Sequence, residues 1–239
     1  MSQKWFQSKC TNFYQSQLRK KPLAGVIRWS LFLGAVSGFQ AQAAVVNVPP
    51  LLQKIEKKYA QANTLSAEFS QLTEDVVLMK KKQSTGKIFI KRPSKVRWET
   101  LTPDRNLLVS DGTRFWYYTP PFDEGERGQV IERKTSNVQS RLANSLLSGA
   151  FSINRDMTIR QKSPTTFILI PKAGTAGTVL QATVETDPKG ELIQKVTLNH
   201  RGGNKAEISL SKIQLGPQLE DGFFIFASPP NTDRVVDGG

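Results

Sequence analysis

Apolar and polar side chains alternate along much of this chain. From Gly86 to Glu99 (GKIFIKRPSKVRWE), Lys87, Phe89 and Lys91 share one face of a predicted strand, and Ile88, Ile90 and Arg92 share the other. The two lysines mark the first face as solvated. That sets Arg92 in line with two isoleucines. After Pro93 and Ser94 the alternation resumes, with Val96 and Trp98 apolar among Lys95, Arg97 and Glu99. The stretch therefore predicts two half-buried strands with a guanidinium at the junction of their apolar side. A buried Arg has to be paired or hydrogen-bonded, because burying it alone costs more than packing returns. One reading makes Arg92 a latch that holds something closed over that face. The other is an ordinary strand end before proline, with the guanidinium reaching water.

The rest of the pattern follows the same logic. Val48-Pro-Pro-Leu51 opens a helix in which Leu51, Leu52, Ile55 and Tyr59 recur at helical spacing, ending near Asn63. Leu65, Ala67 and Phe69 then alternate as a strand. Asp111-Gly112 between Arg105–Ser110 and Thr113–Thr119 is a strong hairpin signal. A polar loop from Pro120 to Gly128 leads to a strand over Gln129–Arg133. At Val138–Leu147 the period changes: Val138, Leu142 and Leu146 stack at i and i+4, with Gly149 as C-cap. Strands return from Met157 onward, over Thr165–Ile170, Val179–Thr186, Glu191–Asn199, Lys205–Ile213 and Phe223–Phe226. Roughly ten strands with short turns predict a mainly β (α+β) chain with antiparallel pairing. A long sheet cannot leave one whole face apolar and uncovered. A strongly curved sheet or unclosed barrel follows, with segments 48–62 and 138–148 able to cover its mouth. Such an architecture encloses a cavity suited to a hydrophobic ligand.

The N-terminus reads differently. Residues 1–43 carry six basic residues and no acidic one, and Trp29–Phe39 (WSLFLGAVSGF) is an apolar run followed by Ala41-Gln42-Ala43. Basic region, short apolar run and A-x-A site predict a cleaved export signal over 1–43 and a mature domain over 44–239. An uncleaved anchor is the alternative. Removing those six from 33 basic residues leaves 27 against 20 acidic ones, a formal +7 rather than +13. The single cysteine, Cys10, precedes the apolar run, so it cannot be a lipidated signal cysteine.

Little in the chain points to catalysis. One histidine, His200, and no cysteine after residue 10 cannot build the usual zinc sites. No H-E-x-x-H, G-x-S-x-G or P-loop pattern is present. The Gly-rich run Gly174–Thr178 is followed by no helix pattern, which argues against a phosphate cradle. The expectation is a non-enzyme without cofactor or metal. Aromatics alternate into strands rather than lying in a basic cluster, which argues against nucleic acid. The basic excess suits transient contact with an anionic membrane surface, or acidic partners.

Three motifs carry a resemblance. Gly86-x5-Arg92-Pro93-x4-Trp98, then Leu107-Leu-Val-Ser-Asp-Gly112, then Trp116-x-Tyr118-x-Pro120 are similar to the LolA family of periplasmic outer-membrane lipoprotein carriers. The closing Phe224-x-Phe226-x-x-Pro229-Pro230 fits the same family. The resemblance implies an unclosed barrel with a helical lid over a hydrophobic cavity, in a periplasmic monomer. It implies partners: acylated lipoproteins, the inner-membrane LolCDE transporter that gives them up, and the LolB receptor that takes them. It places the family's lid-latching arginine at Arg92, the lid helix at Val138–Gly149, and the transporter contact at the mouth on Val96, where the family often has an aromatic residue. Phe69, Ile88, Ile90, Trp98, Leu108, Trp116, Leu142 and Leu146 are the residues expected to line the acyl-chain cavity. A carrier or sensor of another lipid on the same scaffold is the alternative.

Overall fold

Proline in the first turn and an apolar stripe at Leu52, Ile55 and Tyr59 produce helix α1, Pro50–Ala62. It stops at Asn63, which adopts a left-handed φ of 62° and donates its N–H to the carbonyl of Tyr59. These statements come from a computed structural model that describes residues 48–134, 149, 157–172 and 178–236. The described residues belong to one unit, Ala44–Gly239. The predicted export signal and the segment bearing Leu142 and Leu146 lie outside them.

Twelve strands form one sheet: β1 Thr64–Asp75, β2 Lys80–Lys91, β3 Lys95–Thr102, β4 Asn106–Ser110, β5 Arg114–Thr119, β6 Gly128–Lys134, β7 Met157–Ser163, β8 Thr166–Pro171, β9 Val179–Thr186, β10 Ile193–His200, β11 Lys205–Leu215 and β12 Thr232–Val236. Their order is β12-β6-β5-β4-β3-β2-β1-β11-β10-β9-β8-β7. The two edges, β12 and β7, do not pair, so the sheet is unclosed. Neighbouring pairs are antiparallel except β12 with β6, which is parallel.

One face of the sheet joins α1 in a single apolar core drawn from β3, β2, β1 and β7–β11, with Ile88, Val96, Phe167, Val196 and Leu210 among its members. A flat sheet of that span would be about 34 Å wide, while α1 is about 20 Å long. Curvature is what lets so short a helix sit in the core. The helix is bolted to the β9–β10 turn. Leu51 packs on Gly190, whose φ is +64° and where a Cβ would meet Leu51 at 2.4 Å. Lys58 pairs with Glu191 at 2.9 Å, and the Ile193 N–H donates to Tyr59 Oη at 2.9 Å.

The opposite face departs from expectation. Lys87 and Lys91 suggested that Phe89 faces water. Instead the chain after β11 crosses that face as a strap. Phe223 meets Phe89 edge-on at 5.0 Å and lies 4.7 Å from the Arg97 guanidinium. Phe224 is fully buried, and Phe226 packs on Tyr118. Lys91 donates to the Leu219 carbonyl at 2.8 Å, and Lys91 and Lys95 both pair with Asp221. The residues expected as a strand, Phe223–Phe226, begin instead within a 3-10 turn, Asp221–Phe224.

Candidate functional site

Register decides which apolar side chains share a surface. Ala67 opposes Ile88 and Leu65 opposes Ile90. Ile88 opposes Trp98, and Ile90 opposes Val96. Trp98 in turn opposes Leu108. Phe69, Ile88, Ile90, Trp98 and Leu108 therefore stand on one face, the one α1 covers. Phe69, Ile88 and Ile90 are buried, whereas Trp98 and Leu108 are only partly so. The sheet's apolar face thus thins from a filled core near β1 to half-covered aromatic and aliphatic surface over β3 and β4.

Two expectations are corrected here. Trp116 opposes Val109, which puts it on the other face, in a separate cluster with Val109 and Val130. The error arises in Thr113–Thr119, which is apolar on both faces, so alternation could not choose a side. Val96 is 2% exposed, packed within the core, and presents no surface to a transporter in this conformation.

Arg92 directly follows β2, beside the last turn of α1. Its N–H donates to the Asn63 carbonyl at 2.9 Å. A small cavity of about 10 Å³ there is lined by Tyr59, Asn63, Thr64, Leu65, Ile90, Arg92 and Leu215. Tyr59 is buried at this corner. Burial pushes its phenol up to about 12, against the opposing hydrogen bond from Ile193. Its ring also supports Gly149, at φ +69°, where a Cβ would stand 2.9 Å from the ring. Gly149, the expected C-cap of the second amphipathic segment, has a left-handed backbone, and the segment before it lies outside the described residues.

Topology gives this contact its meaning. Strand β6 lies next to one edge of the sheet and β7 is the other edge. Strand β6 ends at Lys134 and β7 begins at Met157, and between them in sequence Gly149 meets Tyr59 of α1. Arg92 lines the same small cavity as Tyr59, and Gly149 lies against the Tyr59 ring. Sequence reasoning found Arg92 and Gly149 separately. It missed Tyr59, because an aromatic at helical spacing reads only as core. No group of three His, Cys, Asp or Glu able to hold a metal occurs among the described residues.

Comparison with known proteins adds to this geometry. A family model described as outer membrane lipoprotein carrier protein LolA matches residues 60–227. An outer-membrane lipoprotein carrier protein of Dechloromonas aromatica is 32% identical over 176 residues, covering 72% of this chain and 81% of that protein. One from Pseudomonas aeruginosa is 27% identical over 212 residues, covering 87% and 98%. Among solved structures, a LolA superfamily protein from Nitrosomonas europaea aligns at 10% identity and a TM-score of 0.43, over 74% of this chain and 96% of its own.

Proposed function

We propose a function from the premise that this chain belongs to the LolA family of outer membrane lipoprotein carrier proteins. It is exported, loses residues 1–43 and works in the periplasm. There it takes acylated lipoproteins from the inner-membrane LolCDE transporter, shields their acyl chains, and hands them to LolB at the outer membrane.

The physical need is large. Each buried CH₂ is worth about 0.8 kcal/mol, so a sixteen-carbon chain left in water is unfavourable by roughly 12 kcal/mol. The observation that supports the carrier reading is the graded apolar face: Phe69, Ile88 and Ile90 packed beneath α1, then Trp98 and Leu108 half-covered beside them. An acyl chain would occupy the half-covered part without unmaking the core. Segment 138–149, with Leu142 and Leu146, would close over it.

Arg92 is the proposed latch. Beside the α1 terminus, where its N–H bonds the Asn63 carbonyl, it would hold backbone carbonyls of the closing segment. Loading would break those bonds, so the loaded state stays only modestly favourable and the cargo can leave.

The test is to incubate the protein with inner-membrane vesicles carrying the transporter, an acylated lipoprotein and ATP. Soluble lipoprotein in complex with this chain, dependent on ATP, is the expected result. Absence of release by a protein that still binds an apolar dye would overturn the lipoprotein reading in favour of another lipid.

A further inference from the structure

Four consecutive apolar residues form the turn between β1 and β2. Val76, Val77, Leu78 and Met79 are 55, 79, 45 and 93% exposed. Apolar surface displayed this way is unfavourable in water and marks a contact site. The turn is built to keep it displayed. Asp75 is buried, and its Oδ1 accepts the N–H groups of Val77 at 3.0 Å and Leu78 at 3.1 Å. Val76 donates its N–H to Asn204 Oδ1 at 3.2 Å, and its side chain rests on the β10–β11 turn, 3.3 Å from where a Cβ of Gly203 would lie.

Cations stand directly behind the tip. Lys80, Lys81 and Lys82 follow it and are exposed, as is Arg201 in the supporting turn. Lys81 pairs with Glu74 and Lys82 with Asp104. Lys80 and Arg201 make no ion pair among the described residues. A convex tip of four residues is small for a stable protein interface, which buries about 1,600 Å² in total. It suits a bilayer better. Apolar side chains would enter the boundary of headgroup and acyl chain, about 5–10 Å deep. Lysines spaced about 3.3 Å apart along β2 would then lie at the level of lipid phosphates. Phe122, exposed at the same end of the sheet, is bordered by Asp123, Glu124 and Glu126, which suits no anionic surface.

We propose that the Val76–Met79 tip, backed by Lys80 and Arg201, is a docking site for an anionic phospholipid surface. Strand polarity puts it at the far end of β2 from Arg92, about 40 Å away for the 12 residues of that strand. Docked there, the protein holds its α1 end away from the bilayer. The inference does not rest on the cargo assignment.

The test uses vesicles of phosphatidylcholine with phosphatidylglycerol, and of phosphatidylcholine alone. An environment-sensitive dye is placed by Met79→Cys, or by Asp123→Cys as control, in a Cys10→Ser background. A blue shift at 79 on anionic vesicles, absent at 123, is expected. The double variant Val77→Ser, Leu78→Ser should lower vesicle partitioning about tenfold. The dye position separates the tip from any binding through Trp29–Phe39. No shift at 79, an equal shift at 123, or partitioning indifferent to the double variant would overturn the proposal. So would a shift at 79 with soluble polyglutamate but not with vesicles, which would point to an acidic protein partner instead.

Discussion

The rings of Phe69 and Trp98 meet with centroids 4.6 Å apart, although their strands are separated by β2. Gly86 is what allows it. Phe69 opposes Gly86 across the β1–β2 ladder, and a Cβ there would stand 2.8 Å from the Phe69 ring and 1.8 Å from the Glu99 carbonyl. The contact joins the filled part of the apolar face to its half-covered part. Gly86→Ala should therefore destabilise the fold by about 1–3 kcal/mol, as overpacking does. Denaturant unfolding measures it. A change within error would mean that β2 and β3 shift apart freely.

The strap across the other face makes its own prediction. Phe224 is fully buried and contacts Phe223 edge-on at 5.6 Å. Phe224→Ala should cost about 3–5 kcal/mol, the usual range for a buried aromatic. The exposed Ile225, at 58%, should tolerate Ala with little change in the same unfolding experiment.

Charge and burial give opposite limbs to the pH profile. Hydrogen bonds from Lys91, then Lys95, hold the Asp221 carboxyl at about 2. A depressed carboxyl contributes stability above its unfolded value near 3.8, and that contribution is lost as pH falls toward 2. Tyr59 runs the other way. Its phenol is raised by burial, so its contribution is complete below pH 10 and lost as pH rises toward 12. Tyr59→Phe should flatten the alkaline limb. It should also cost about 1 kcal/mol near neutrality, since the Ile193 N–H loses its acceptor. Thermal unfolding from pH 2 to 12 reads both limbs, and an alkaline limb unchanged by Tyr59→Phe would contradict the assignment.

Arg92→Leu separates latch from strand end. As a latch, the variant should load lipoprotein and retain it, with onward transfer slowed. The backbone bond from position 92 to the Asn63 carbonyl remains in this variant. Onward transfer at the normal rate would leave Arg92 as a strand terminus only.

Much of this architecture was legible in the sequence. Period-3.6 spacing placed α1, and alternation placed the Ile88–Ile90 face correctly. The hairpin at Asp111-Gly112 is held as expected, with Asp111 Oδ1 accepting the N–H groups of Thr113 and Arg114 at 2.7 Å. What failed was long-range. Lys87 and Lys91 made Phe89 look solvated, because nothing local announces that Phe223 arrives from 134 residues away to cover it. Trp116 could not be assigned to a face in a strand apolar on both sides. The parallel edge strand β12 was missed because Thr232–Val236 is short and follows a proline-rich turn. Tyr59, whose ring Gly149 lies against, carried no signal beyond its helical spacing.

In the proposed carrier, an acyl chain rides on the α1 face of the sheet. A photoreactive benzoylphenylalanine at position 108, on that face, and another at position 116, on the opposite one, test it directly. Each variant is loaded with a lipoprotein carrying a labelled acyl group and irradiated. A labelled adduct from position 108 and none from 116 is the expected result. Adducts from 116 alone, or equally from both, would contradict it.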